Sequence, residues 1–476
     1  MGRVNKADFY IMKFCSNLFD NKYINNMDKR YLFFSAILLF LCCCNYMNSQ
    51  TQDEFMKRRL TVIDQLEPGS IMIVRTPDPS AMFDYGRRGG YFYYLTGIDE
   101  PSCTLILLSK DIRIQLKPEA REKEILFIRP VNSGRANWDQ QTIGIENARS
   151  KYGFKDVRPD YEANEFIARL LTQNLSTIYM DFKKSASINS PLTEDEQLLM
   201  KAKDHGATFV IQNPGKIINP MASKKSAAEI ELIRKAINIT AEAQREAMRS
   251  MTSGLYEYQL DAIIRYVFTI NGSGSASFPG IIGSGINSVV LHWMENSRKM
   301  ENGDIVVIDC GAEYQMYCAD ITRTIPVSGK YTERQKAIYE IVLKANEDAI
   351  KAIGPGVKFQ TVSNKADSVL ADGMVKIGLI KNKTEFKKYY YHSLSHNIGL
   401  KGAFGNSLDI LEPGMIITIE PGIYVREEKT GVRIEDDVLV TETGYEVLSK
   451  NAPKQIAEIE KLMKEEGMNI PRNIIK

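Results

Sequence analysis

The sequence predicts an α/β (α+β) protein of two domains, the second made of two halves that each bring helices onto strands. Three observations predict it. Apolar strand-like runs alternate with helical periodicity along most of the chain. A segment containing Pro214, Gly215 and Pro220 divides the chain near its middle. Beyond it, an order of two helices followed by strands occurs twice, and each time the strands carry a pair of carboxylates.

At 476 residues the chain exceeds one ordinary domain, and 44% apolar residues are ample for real cores. A net charge of +2 with 25% charged residues is nearly balanced, and no long Lys/Arg run is interleaved with aromatics, which argues against nucleic acid as a partner.

The first 50 residues read as an N-terminal extension and signal peptide. Lys29-Arg30 precedes the apolar run from Tyr31 to Cys44, and a polar stretch from Asn45 to Asp53 follows. That run is shorter than the roughly 20 residues a bilayer span needs. The expectation is export, periplasmic or secreted, with no stable membrane span in the mature chain; a membrane anchor is the lesser alternative. Met27 is the suspected initiator. A lipoprotein reading of Cys42-Cys43-Cys44 is weakened by Leu41, which is not the usual small residue. Of seven cysteines, Cys103, Cys310 and Cys318 remain beyond this region, an odd and sparse set that makes no disulfide framework and reads as packing.

Residues 51–213 form the first domain. Ile71-Met72-Ile73-Val74, Thr104-Leu105-Ile106-Leu107-Leu108 and Ile125-Leu126-Phe127-Ile128 read as buried strands, and 161–172 as a helix. Tyr91-Phe92-Tyr93-Tyr94 reads as strand core or an interface. His205 is a lone histidine with no partner pattern. Residues 214–226 are the expected linker. The second domain, 227–462, opens with Ser226 three residues before Glu229, the spacing of a capping box, and Ile230, Ile233, Ile237, Ala241 and Met248 follow at helical intervals. Helical stretches are expected at 227–251 and 257–270, then at 333–353 (with Thr332 and Gln335 as a second capping pair) and about 360–377; 463–476 is a tail.

The chemistry sits between the helices. Asp309 ends the run Ile305-Val306-Val307-Ile308, Asp320 follows, and His396 comes after a helical interval. Glu420 ends Met415-Ile416-Ile417-Thr418-Ile419, and Glu435 ends Val432-Arg433-Ile434. Singly, Asp309 could be a strand-end turn residue, Glu420 before Pro421-Gly422 another, and Glu435-Asp436-Asp437 a solvated edge. Together, about four negative charges brought into one cleft would cost many kcal/mol or be forced to protonate. Two divalent cations cancel that charge. Ions about 3.5–4 Å apart can bind one water between them, lower its pKa and polarise a carbonyl, giving hydrolysis without a covalent intermediate. Oxygen-rich ligation with one imidazole and no thiolate favours manganese, cobalt or iron over a structural zinc.

These stretches resemble the aminopeptidase P branch of the creatinase/methionine aminopeptidase metallopeptidases. The matching blocks are Gly280-Ile281-Ile282-Gly283-Ser284-Gly285, Leu291-His292-Trp293, Asp309-Cys310-Gly311-Ala312, Ala319-Asp320-Ile321-Thr322-Arg323-Thr324, His392-Ser393-Leu394-Ser395-His396, Leu411-Glu412-Pro413-Gly414, Ile419-Glu420-Pro421-Gly422 and Arg433-Ile434-Glu435-Asp436-Asp437. Tyr94-Leu95-Thr96-Gly97-Ile98-Asp99-Glu100-Pro101 is similar to the N-terminal domain of that family, and the likeness spans about 53–462.

The resemblance implies a pita-bread catalytic domain behind a smaller α/β creatinase-like N-terminal domain. It implies that Asp309 binds one metal, His396 and Glu420 the other, and that Asp320 and Glu435 bridge them. Two divalent ions are implied, manganese first, with cobalt, iron or zinc as alternatives. Glu420 would also be the general base, while His292, His392 and Tyr424 would line the substrate site. Arg433, two residues from Glu435 in a strand, shares its face and would steady a ligand carboxylate or Tyr424. The implied reaction is removal of an N-terminal residue from proline-containing peptides with proline second, in a homodimer or homotetramer. A prolidase restricted to Xaa-Pro dipeptides, or a weakly active or non-catalytic peptide-binding member, is the alternative.

One departure stands out. The family commonly carries a further histidine shortly after the metal-binding one, but here the loop reads Leu400-Lys401-Gly402-Ala403-Phe404-Gly405 and His396 is the last histidine in the chain. Losing one transition-state donor typically costs about 2.7–4 kcal/mol. Low activity on standard proline peptides, or a loop shaped for another substrate, is therefore expected; if the first holds, Ala403→His raises turnover.

Overall fold

The computed structural model describes residues 51–76, 90–112, 123–131, 142–181, 191–400 and 409–468. The proposed signal peptide and the Ala403 loop lie outside these residues. No helix among the described residues is long and apolar enough to cross a membrane.

The three apolar runs of the first domain are strands of one six-stranded sheet. Its spatial order is Asp156–Pro159, Glu124–Ile128, Thr104–Leu108, Ser70–Arg75, Thr177–Met180, Val210–Gln212. Ser70–Arg75 pairs antiparallel with Thr104–Leu108 (Ile73 opposite Ile106) and parallel with Thr177–Met180 (Ile71 opposite Ile178). Near-continuous apolar runs suit strands covered on both faces, and alternation divides them. Met72, Val74, Leu105, Leu107, Leu126 and Ile128 pack with the helix Gln52–Gln65, whereas Ile71, Ile73, Ile106, Ile125 and Phe127 pack on Ala163–Leu171.

Two readings are corrected here. Tyr91, Phe92, Tyr93 and Tyr94 lie in a helix, Gly90–Thr96, rather than in a strand; Phe92 and Tyr94 are buried and Arg58 stacks 4.2 Å above the Tyr94 ring. The segment read as a linker contains the helix Gly215–Ser223 with Pro220 inside it. Its Ile217, Ile218 and Ala222 join the core that runs from the first domain into the second. Burial of that face outweighs the propensity of Pro220 to break a helix.

In the second domain the helices are Ala227–Ser250 and Glu257–Ile270, then Glu333–Ile350 and Phe359–Lys376. Ser226 with Glu229, and Thr332 with Gln335, form complete capping boxes. The first half's sheet runs Ile321–Pro326, Ile305–Cys310, Ile281–Ser284. The second half supplies Ile416–Ile419, Asp436–Val440 and Tyr445–Val447, plus the hairpin Gly422–Val425 with Thr430–Arg433. Hydrogen bonds stitch the halves together. The Glu435 N–H donates to the Thr322 carbonyl (3.1 Å), and Thr324 Oγ1 accepts from the Arg433 N–H (3.0 Å) while donating to the Arg433 carbonyl (2.8 Å). Cys310 is buried and Cys318 half-buried.

Candidate metal centre

Strand ends deliver the acidic side chains to one place. Asp309 sits next to last in Ile305–Cys310, opposite Thr322, with Ile308 and Cys310 turned into the core of this half. Asp320 immediately precedes Ile321–Pro326, and its N–H donates to Asp437 Oδ2 (3.2 Å). Glu420 follows Ile416–Ile419, its N–H donating to the Leu394 carbonyl (2.9 Å). Glu435 follows Thr430–Arg433 and is buried, accepting at Oε2 from Thr322 Oγ1 (2.6 Å). His396 comes on the segment alongside Ile416–Ile419, where its N–H donates to Thr418 Oγ1 (3.0 Å); that hydroxyl in turn donates to Glu420 Oε1 (3.2 Å).

The side chains converge. Potential ligand atoms of Asp320, His396 and Glu435 lie within 4.8 Å of one another. His396 Nε2 is 3.4 Å from Asp320 Oδ2 and 3.6 Å from Glu420 Oε1. Asp309 stands against Asp320, whose proton affinity its charge raises, and its Oδ2 is held by Arg433 Nη2 at 2.6 Å. Asp309 Oδ1 and Asp320 Oδ1 are buried without a hydrogen-bond partner among the described residues.

Crowding shows in the proton affinities. Burial, then the charge of Asp309, pushes Asp320 up to about 6. Burial pushes Glu420 up to about 7 against the pull of His396 and Arg433, and burial with the charges of Asp320, Glu420 and Asp309 drives Glu435 well above the carboxylate range. Burial opposes charge on His396, but its hydrogen bond to Asp320 and the charges of Asp320 and Glu420 outweigh it and lift the imidazole to about 10. Repelling carboxylates with unsatisfied buried oxygens fit a divalent cation, whose charge reverses each of these shifts.

Beside this cluster runs a chain of hydrogen bonds. Arg433, buried, donates from Nε to Thr322 Oγ1 (3.1 Å) and from Nη1 to Tyr424 Oη (3.1 Å). Tyr424 Oη lies 2.9 Å from His392 Nε2, and His392 Nδ1 lies 2.8 Å from the Ser393 carbonyl. Only an Nδ1–H tautomer satisfies both contacts, so Tyr424 donates to Nε2. Burial holds His392 down to about 4, which makes it neutral at pH 7, so its 3.9 Å approach to Glu420 is not an ion pair. His292 is exposed, on the segment after the short turn Gly285–Val289, and close enough to His392 for its charge to be felt there.

Sequence reasoning passed over Thr322, Thr418 and Asp437. Each stands two residues from a named carboxylate, Asp320, Glu420 or Glu435, which in a strand is the same-face spacing, so a signal was available.

Comparison with known proteins accords with this geometry. Residues 55–179 match the aminopeptidase P N-terminal domain and residues 231–442 match metallopeptidase family M24. The Xaa-Pro aminopeptidase of Haemophilus influenzae is 33% identical over 88% of this chain and 99% of its own length, and that of Escherichia coli is 33% identical with the same coverage. Among solved structures, an Escherichia coli aminopeptidase P variant superposes with a TM-score of 0.77 at 31% identity, covering 87% of this chain and 99% of that one. A Pseudomonas aeruginosa aminopeptidase does so with a TM-score of 0.77 at 30% identity, covering 88% and 99%. With relatives of this identity matched along nearly their whole length, the chain belongs to metallopeptidase family M24, behind an aminopeptidase P N-terminal domain.

Proposed function

We propose that this chain is a metal-dependent aminopeptidase that hydrolyses the bond between an N-terminal residue and a following proline. The observation that carries the reading is the convergence of Asp309, Asp320, His396, Glu420 and Glu435 around buried carboxylate oxygens that lack partners among the described residues. Whole-length likeness to Xaa-Pro aminopeptidases supplies the substrate class.

The residues divide by position. Asp320 and Glu435 are central and suited to a shared role, while Asp309 on one side and His396 with Glu420 on the other would complete a site for two divalent ions. Oxygen-rich ligation with one imidazole favours manganese, with cobalt, iron or zinc as alternatives. When bound, such ions supply a readily deprotonated water and a Lewis acid for the scissile carbonyl. Glu420, which lies 3.6 Å from His396 and 3.9 Å from His392, would accept a proton from water and return it to the leaving nitrogen. Neutral His392, held by Tyr424, lines the substrate side together with exposed His292. Arg433 keeps one oxygen of Asp309 in place and leaves the other free.

Metal analysis combined with Glu420→Ala tests the reading on an Xaa-Pro-Xaa peptide. The expected result is bound divalent metal in the wild type and turnover lower by roughly 10²–10⁴-fold in the variant. A wild-type protein with neither bound metal nor metal-dependent hydrolysis would overturn it.

A further inference from the structure

Two buried side-chain amides, one on the first long helix of each half, reach the backbone beside the two carboxylate pairs. Gln244, on Ala227–Ser250 and fully buried, donates from Nε2 to the carbonyl of Ile308 (3.0 Å) and to that of Ile321 (2.9 Å), with Cys310 Sγ at 3.5 Å. Ile308 immediately precedes Asp309, and Ile321 immediately follows Asp320. In the second half Asn346, on Glu333–Ile350 and fully buried, donates from Nδ2 to the carbonyls of Ile419 (2.9 Å) and Ile434 (3.4 Å). These immediately precede Glu420 and Glu435. An amide nitrogen carries two protons, so in each half one side chain supplies one donor to each of two backbone segments. Each helix is thereby tied to the backbone on both sides of the site, next to the residues that carry the carboxylates.

We infer that Gln244 and Asn346 are positioning residues, a matched pair of amide clamps that hold Asp309 with Asp320, and Glu420 with Glu435, at metal-binding separation. The two clamps are oriented differently. Asn346 Oδ1 accepts from Lys454 Nζ (2.8 Å), which also donates to Asp436 Oδ2 (2.6 Å), so the second clamp is locked from behind. Gln244 Oε1 has no hydrogen-bond partner among the described residues, and its orientation is fixed by the acceptors on its nitrogen alone. The alternative is that each amide serves packing only.

This inference rests on the metallopeptidase reading, and the experiment separates the two. Full-length wild type, Gln244→Met, Asn346→Leu and a control, Leu171→Ala, are stripped with chelator. Each is titrated calorimetrically with manganese, the wild type also with cobalt, iron and zinc in turn, and thermal unfolding is recorded without metal. Leu171 is buried in the first domain, away from the carboxylates, so its truncation reports general destabilisation. Both amide variants should bind manganese about 10–100-fold more weakly, the effect typical of losing a group that orients metal ligands. Leu171→Ala should lower the unfolding temperature yet bind as the wild type does. If Gln244→Met does not fold, Gln244→Asn, which keeps the amide one methylene short of the carbonyls, carries the same expectation. Wild-type affinity in the amide variants, or an equal loss in Leu171→Ala, overturns the clamps alone. A wild-type chain that takes up neither manganese nor cobalt, iron or zinc overturns the metallopeptidase reading and the clamps together.

Discussion

Arg433 ties the acidic cluster to Tyr424 and His392. Its guanidinium is shared among Asp309, Thr322 and Tyr424, and Tyr424 carries the connection to His392. Tyr424→Phe removes one hydroxyl that serves both Arg433 and His392. Leaving a buried polar group unsatisfied costs about 1–3 kcal/mol, so kcat/KM should fall roughly tenfold to a hundredfold while metal content is retained; steady-state kinetics and metal analysis check both parts. Lys225 offers a test independent of catalysis. It is buried, donating to the Ser223 carbonyl (3.0 Å), and burial holds it down to about 8 against a contrary pull from Glu229. Since the ordinary lysine value is 10.5, the unfolded chain binds a proton that the folded chain lacks between these two values. Stability contributed at this site therefore rises with pH from about 8 to 10.5, and the penalty, of order 3 kcal/mol, is complete below about 8. Lys225→Met should be more stable than wild type at pH 7, and that advantage should shrink as pH rises through this window; paired melting curves at each pH read the difference. At this scale the carboxylates were legible because acids at the ends of apolar strands are conspicuous. Thr322 and Thr418 were less conspicuous: their two-residue spacing from Asp320 and Glu420 was a signal, but a threonine in a strand is ordinary until its hydroxyl is seen donating to Glu435 or to Glu420.

At the scale of elements, the helix Ala227–Ser250 begins where the domains meet. Glu229 closes its capping box, accepts from Tyr317 Oη at Oε1 (2.9 Å) and pairs with Arg58 at 3.0 Å, so a capping residue also anchors the first domain. The capping function could be read from spacing; the pairing with Arg58, far away in sequence, could not. Removing one partner of a buried ion pair costs about 3–5 kcal/mol, but Arg58 keeps Glu54. Glu229→Ala should therefore destabilise the protein by about 3 kcal/mol, and Glu229→Gln, which keeps the cap, by less, as measured by denaturant unfolding. The two misread segments fail for a related reason. Gly90–Thr96 has the aromatic and threonine content of a strand, and Gly215–Ser223 the Pro and Gly of a loop, yet both are helices because tertiary burial of Tyr94, Ile217 and Ile218 decides the matter.

At the scale of the whole molecule, the twofold order of helices and strands was readable because capping boxes, helical periodicity and strand-end acids all fell in sequence. How the halves meet was not readable. It depends on Thr322 and Thr324 bonding across to Glu435 and Arg433, contacts between residues more than a hundred positions apart. The strand order of the first domain, with parallel and antiparallel neighbours in one sheet, was hidden for the same reason. Binding of divalent cations by acids from both halves, for peptide hydrolysis, is what the proposed function requires. Its most direct test is hydrolysis of a small panel of Xaa-Pro and Xaa-Pro-Xaa peptides by chelated protein, with manganese, cobalt, iron or zinc added back singly. Release of the first residue from the Xaa-Pro-Xaa peptides, absent after chelation and restored by a divalent ion, is the predicted result; hydrolysis indifferent to chelation, or none with any of the four ions, would contradict it.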